Sequence, residues 1–326
     1  MSGVLPGAGS AINPMFQRLS LLTGASVIEA LGKTRVFVFG LGGVGSWCAE
    51  ALARSGVGNI HIVDSDRVCV TNINRQVQAT SQTLGLSKAE TLKTRLLEIN
   101  PRCTVSPWER VFSRENAGIF GLEKTDYCID AIDSLTYKLD LIEYAVAAGS
   151  KLFSSMGMAQ KLDPTRLRAA SVWDTMGCPL ARLVRQGLRK RGFSGDFTAV
   201  FSDERLPLHG EIPVSCGAAG GRCFCPAGKG GNTGEKDIEW CSSKKVINGS
   251  AVPVTAAAGM ILASLVIRDC YERFGGKAEE TAGARESARA RESARARESA
   301  RARESAQGPA PVGRETRAPE QAASCG

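Results

Sequence analysis

Histidine is nearly missing from this 326-residue chain. The two present, His61 and His209, have no serine or cysteine partner that suggests a triad, which argues against hydrolysis through an imidazole-activated nucleophile. No two cysteines stand in a C-x-x-C spacing, so the regular paired-cysteine zinc pattern is excluded. The opening residues, MSGVLPGAGSAINP, lack a basic region followed by a long apolar stretch, and no secretory leader is expected. The longest apolar run, residues 251–267, has 17 residues and includes Thr255, Gly259 and Ser264. That is short for a membrane span; it is read as a buried helix, and no membrane span is expected.

Apolar residues make up 43% of the chain, enough to bury a substantial core. The net charge of +8 suggests nucleic-acid affinity, but residues 277–326 hold ten Lys and Arg against eight Asp and Glu, leaving +6 for the rest. Of the eleven cysteines, Cys48, Cys69, Cys103 and Cys128 fall in or beside apolar runs, which fits a reducing compartment better than a disulfide framework. The expected location is cytoplasmic, with mitochondria as the alternative.

The pattern along the first 130 residues is helix, strand, glycine turn, helix, strand, polar loop, helix, strand and strand. Strands are predicted over 35–39, 59–63, 103–108, 127–130 and 151–155, and helices over 87–99, near 114–122 and over 135–148. Asn100-Pro101 stops one helix and Gly149 another. Apolar strands separated by helical patterns predict an α/β fold: a doubly wound, mostly parallel, Rossmann-like sheet covered on both faces, with a smaller C-terminal extension. This domain is placed at residues 14–275. Within it, residues 217–234 (GAAGGRCFCPAGKGGNTG) are too rich in glycine for a regular element and are read as a mobile surface loop. Beyond it, the hexapeptide RESARA repeats three times from Arg285 and begins a fourth, with no apolar face to bury. Residues 276–326 are therefore read as a disordered low-complexity tail, an RNA-binding tail being the competing reading.

The segment VFVFGLGGVGSWCAEAL combines a strand, a turn and a helix start, with Gly40, Gly42 and Gly45 in G-x-G-x-x-G spacing. Gly40 permits the tight turn, Gly42 lets a phosphate approach the backbone, and Gly45 lets the helix pack on the sheet. Asp64, 19 residues after Gly45, stands where it can accept hydrogen bonds from ribose hydroxyls. The loop and this acid fit NAD as well as ATP. Downstream, Asp66, the polar run Thr71-Asn72-Ile73-Asn74-Arg75-Gln76 and Lys88 tip the balance, because a triphosphate needs cations that a nicotinamide does not.

The ordered motifs GLGGVGS, VDSDRV, TNINRQ, GLSKAE, INP and DAIDS resemble the ThiF and MoeB type adenylating domain shared with ubiquitin-activating enzymes. Within that family, GGVGSW, VCVTNINRQ, CIDAIDS, LDPTRLRAASVWDT, PLARLVRQGLRKRG and VFSDE are similar to the dehydratase branch acting on threonylcarbamoyladenosine in tRNA. The likeness covers about residues 14–270. It implies ATP as substrate, with Gly43 near the phosphates, Asp64 on the ribose, and Asn72, Arg75 and Lys88 on the triphosphate. It implies that Asp133 holds magnesium beside the α-phosphate and that Ser134 lines the same site; Asp130 is read as a strand cap. Arg18 corresponds to an arginine that reaches across a homodimer interface into the neighbouring site, an ordinary surface arginine being the competing reading.

The activity so implied is ATP-dependent dehydration of N6-threonylcarbamoyladenosine next to the anticodon, through adenylation of its carboxylate. The alternative is adenylation of the C-terminal glycine of a ubiquitin-like or sulfur-carrier protein, and a sulfur-transfer partner stays open. A nucleotide-binding scaffold without catalysis is a third reading. Arg182, Arg185, Arg189, Lys190 and Arg191 place cations on a short helix, read either as a tRNA backbone contact or as a solvated face. Relatives that activate ubiquitin carry two C-x-x-C zinc pairs, and their absence favours the dehydratase branch. Cys216, Cys223, Cys225 and Cys241, spaced by seven, two and sixteen, form no regular zinc pattern. The chain also departs from the branch at Cys178, where an acid commonly precedes PLARLV.

Overall fold

Residues 36–39 of β1 (Arg35–Phe39) are all buried, and they alternate between two cores. Val36 and Val38 face one side of the sheet and Phe37 and Phe39 the other, as the two-residue period of a strand requires. A strand buried on both faces needs helices on both, and the computed structural model, which describes residues 13–206 and 248–275, supplies them. On the first face lie α2 (Ala25–Lys33), α3 (Gly45–Arg54), α4 (Lys88–Ile99) and α7 (Val252–Phe274). On the second lie α5 (Leu135–Ala147) and α6 (Pro179–Lys190). A short leading helix, α1 (Gln17–Thr23), packs on α2.

The remaining strands are β2 (Asn59–Val63), β3 (Thr104–Trp108), β4 (Tyr127–Asp130), β5 (Lys151–Ser155), β6 (Leu167–Ser171) and β7 (Thr198–Ser202). The sheet runs β3-β2-β1-β4-β5-β7-β6, parallel except for the antiparallel β6–β7 pair. The doubly wound, mostly parallel architecture expected from the sequence is present, and the β6–β7 pair extends it beyond β5.

Two local expectations differ. The helix near 114–122 is instead two short 3₁₀ turns, Ala117–Phe120 and Leu122–Lys124. Gly121 separates them in a left-handed conformation (φ +60°) that a continuing helix cannot contain. The last helix runs 23 residues, past the apolar run into Arg268, Asp269 and Arg273, and by length and composition alone it is apolar enough to cross a membrane. Its buried residues, among them Val254, Ala258, Leu262 and Val266, belong to the first core, so it serves as a core helix. The described cysteines Cys48, Cys69, Cys103, Cys128, Cys178 and Cys270 are buried and form no disulfide. His209, the glycine-rich segment 217–234, Cys216, Cys223, Cys225, Cys241 and the tail at 276–326 lie outside the described residues.

Candidate functional site

Strand order reverses between β1 and β4, so the loops after these two strands diverge and open a crevice at the carboxyl edge of the sheet. Gly40 leaves β1 with φ +86°, and a methyl group there would stand 2.7 Å from the Ala131 carbonyl oxygen, in the loop after β4. A methyl on Gly45 would overlap the Gly40 carbonyl, so only glycine lets α3 start this close to the turn. Gly42 is different: its open side meets no atom within 4 Å, which leaves room for a ligand's phosphate against the backbone. Gly43 backs onto the side chains of Thr255 and Arg75. Val44, ahead of α3, offers no side-chain cap to the helix N–H groups, an arrangement suited to an anion.

Asp64, just past β2, braces this loop. Its Oδ2 accepts from Leu41 N at 2.7 Å and its Oδ1 from Asp66 N at 2.8 Å. Burial pushes its carboxyl up from the usual range, against the pull of the Lys88 charge. Lys88 is the first residue of α4, whose N-terminus is capped by Ser87 Oγ accepting from Glu90 N. Its Nζ lies 2.6 Å from Asp66 Oδ2 and 3.9 Å from Asp64 Oδ1 with only 6% of the side chain exposed. Burial opposes the ammonium charge, but the two carboxylates outweigh it and hold Lys88 above its ordinary range.

Asn72 Oδ1 accepts from Cys69 N at 3.0 Å and so shapes the turn that carries the next cation. Arg75 donates from Nη1 to Thr71 O at 2.8 Å and to Asn74 Oδ1 at 3.1 Å. Trp47 Nε1 donates to the Arg75 carbonyl at 3.0 Å, fastening this turn to α3. Burial lowers the Arg75 pKa and the Asp133 carboxylate opposes that shift; the same carboxylate helps to raise Lys88. Thus Asp64, Arg75 and Lys88, on the β2–α4 connection and the helix start that ends it, and Asp133, after β4, form one electrostatic group beside the glycine loop. Asp133 is exposed at the rim, and Ser134 beside it starts α5 without making a side-chain cap.

Asp130 is more than a strand cap. It is fully buried, its Oδ2 lies 2.7 Å from Lys138 Nζ and accepts from Ser154 Oγ at 2.6 Å, and its Oδ1 accepts from Ile132 N. This pair underpins the loop that presents Asp133. Sequence reasoning missed Lys138, although a lysine in the first turn of α5, on a face otherwise apolar, was the available signal. It also missed Gln78, whose Nε2 donates to Leu41 O at 2.9 Å, and Thr255, which is remote in sequence.

Arg18 is not brought to this group. It is exposed on α1, and the preceding Phe16 sits against Gly56, between α3 and the start of β2, at the opposite edge of the sheet. Cys178, at the acid position of the resemblance, is buried ahead of α6, its Sγ 3.9 Å from Gly157 O. No group of three metal-ligating side chains occurs among the described residues.

The ThiF family matches residues 16–305 of the chain. The tRNA threonylcarbamoyladenosine dehydratase of Bacillus subtilis (strain 168) is 43% identical over 189 residues, covering 58% of this chain and 74% of that protein. Among solved structures, the Escherichia coli tRNA N6-threonylcarbamoyladenosine dehydratase in complex with AMP aligns with a TM-score of 0.66 at 30% identity, covering 81% of this chain and 97% of that one. The same protein in complex with ATP aligns with a TM-score of 0.65 at 29% identity, with the same coverage. Fold, loop motif and these likenesses agree: the chain belongs to the ThiF family, in the branch of the tRNA threonylcarbamoyladenosine dehydratases.

Proposed function

We propose that this chain is an ATP-dependent tRNA threonylcarbamoyladenosine dehydratase and that its reaction takes place in the crevice between the loops after β1 and β4. The observation that carries this reading is the convergence of Arg75, Lys88 and Asp133 on a glycine loop whose Gly42 side is open. ATP lies along residues 40–45, with Asp64 toward the ribose and Arg75 and Lys88 toward the phosphates. Arg75 offers a planar fork to phosphate oxygens and Lys88 a point charge. Asn72 keeps the Arg75 turn in shape, and Ser134 lines the rim.

The threonyl carboxylate of the modified adenosine attacks the α-phosphorus, forming an O–P bond as pyrophosphate leaves. The carbamoyl group of the same modification then attacks the activated carbonyl, closing a five-membered ring as AMP leaves and one N–H proton is released. No protein nucleophile is required, because both reacting groups belong to one side chain of the nucleoside. The chain's task is to neutralise the charge that develops on the phosphates and to orient the carboxylate. Asp133, a single exposed carboxylate next to bound phosphates, suits magnesium, which takes one or two protein carboxylates and fills its shell with phosphate oxygens and water. That ion would neutralise phosphate charge.

A homodimer completes this reading. Arg18 starts from the edge of the sheet opposite its own crevice, so it would serve the site of a second copy. The helix that bears it exposes Leu21 and Leu22 by 83% and 78%, an apolar surface suited to being covered by a partner.

The test is mass spectrometry of nucleosides after incubating the chain with threonylcarbamoyladenosine-containing tRNA. Loss of one water from the modified nucleoside only when ATP is present is the expected result. Intact ATP binding with no dehydrated product overturns the proposal.

A further inference from the structure

Helix α6 carries four cations, Arg182, Arg185, Arg189 and Lys190, and no acid, with Arg191 directly after it. Two of these five are already taken up in hydrogen bonds or ion pairs. Arg185 donates to the buried Thr175 Oγ1, and Arg191 pairs with Asp140 at 2.7 Å and Glu143 at 2.9 Å. Arg182, Arg189 and Lys190 are exposed, and none has an acidic partner among the described residues. Ala181, Val184 and Leu188 bury the other side of the helix in the second core, so these cations ride the solvent face.

Arg182 and Arg189 are seven residues apart, about 10.5 Å along the helix axis and on nearly the same face. The Arg189 guanidinium lies 5.3 Å from the centroid of the Trp173 ring, and Trp173 is itself held by its Nε1 donating to Gly195 O at 3.0 Å. A guanidinium stacked on an indole keeps a fixed plane and still offers outward N–H donors. The start of α6 is also tied to the reaction edge, because Cys178 and Leu180 pack against Gly157, just beyond the carboxyl end of β5. The cationic face therefore leads away from the same edge on which the crevice opens.

We propose that this face of α6, with Arg182, Arg189 and Lys190 as its contacts and the Trp173–Arg189 stack as its fixed point, docks the sugar-phosphate backbone of the tRNA whose anticodon loop enters the crevice. The proposal rests on the tRNA reading above and deepens it by assigning the surface. Charge complementarity selects the occupant. A phosphate backbone presents a negative charge at every nucleotide and needs no apolar anchor, whereas an acidic protein needs a buried apolar centre to bind well. Among the exposed residues of this face only Leu183 is large and apolar.

The experiment compares R182E/R189E with a charge-matched control, R102E/K124E, which replaces two exposed cations just ahead of β3 and β4, both in the full chain. Binding of threonylcarbamoyladenosine-containing tRNA is followed by fluorescence anisotropy over a range of KCl, and ATP binding by calorimetry. For R182E/R189E the tRNA Kd rises by about tenfold or more at ~0.1 M salt, and the salt slope falls by about 2, one for each phosphate that no longer meets an arginine. ATP affinity stays as in the wild type, which shows an intact crevice, and the control pair changes tRNA affinity far less. Wild-type Kd and slope in R182E/R189E, or equal weakening by the control pair, overturns the assignment. Failure of the dehydratase reading is distinct: there the wild type binds tRNA and ATP but forms no dehydrated nucleoside.

Discussion

Lys138 Nζ stands 2.7 Å from Asp130 Oδ2 with both side chains fully buried, directly beneath the loop that presents Asp133. Lys138 also donates to the Ile132 carbonyl at 2.9 Å, and Asp130 accepts from Ser154 and Ile132 N, so neither charge is left without hydrogen bonds. Such a pair adds little net stability over an apolar one, but removing one member strands the other in a medium that solvates it poorly.

Lys138→Met is therefore expected to cost about 3–5 kcal/mol in urea unfolding. Adding Asp130→Asn to it should recover part of that loss, since no uncompensated charge remains. A single variant within about 0.5 kcal/mol of the wild type would show that the pair does not brace the loop.

Two glycines of the loop should separate folding from ligand binding. Gly45→Ala places a methyl on the Gly40 carbonyl, and an overpacking cost of about 1–3 kcal/mol is expected, read as a lower melting temperature. Gly42→Ala meets no protein atom within 4 Å, so its melting temperature should hold while ATP affinity falls. Unchanged ATP titration of Gly42→Ala would mean that phosphates do not approach that side.

Arg75 is held by Thr71 O, Asn74 Oδ1 and the Trp47 bond to its own carbonyl, so its fork is aimed before any ligand arrives. Arg75→Ala is expected to lower turnover by about 10²–10³ with the fold intact by circular dichroism. Arg75→Lys should recover only part, because a point charge does not replace a planar fork. Full activity in Arg75→Lys would reduce the residue to a bulk charge.

His61 gives a pH dependence of stability. Burial, helped by the nearby Arg35 charge, lowers its pKa from 6.5 to about 4, so the folded chain keeps the ring neutral while the unfolded chain protonates it. The contribution is whole above pH 6.5 and is lost as pH falls from 6.5 toward 4. His61→Phe, which preserves stacking on Phe37, is expected to flatten the decline of unfolding free energy in that window. Parallel wild-type and variant profiles would sink this attribution.

The strands were legible where apolar runs met a turn residue: β1 ends at Gly40 and β4 at the DAIDS loop, and both were located from pattern alone. The candidate site was legible as a set of motifs because few side-chain types suit phosphate chemistry, and the structure brings Asp64, Arg75, Lys88 and Asp133 together. What brings those motifs together was not. The Asp130–Lys138 pair hides a charge inside a helix that otherwise reads as amphipathic, and Thr255 reaches Gly43 across 212 positions of sequence. The segment 114–122 reads as helical by composition, yet Gly118 and Gly121 weaken a helix there, and the left-handed turn at Gly121 ends it.

The approach to α7 links the site to the far end of the molecule. Asn74 Nδ2 donates to the Ser250 carbonyl and Gln160 N to that of Gly249, and Gly259 lets the helix pass closely against the Val44 carbonyl at the start of α3. From Val252 the helix runs about 34 Å to Phe274, whose carbonyl accepts from Ser26 Oγ on α2. Hydrogen bonds and close packing thus link the glycine loop to both ends of α7, and their amides are expected to exchange with solvent together. Occupancy of the loop should accordingly be felt as slower hydrogen exchange along α7, well away from any bound phosphate.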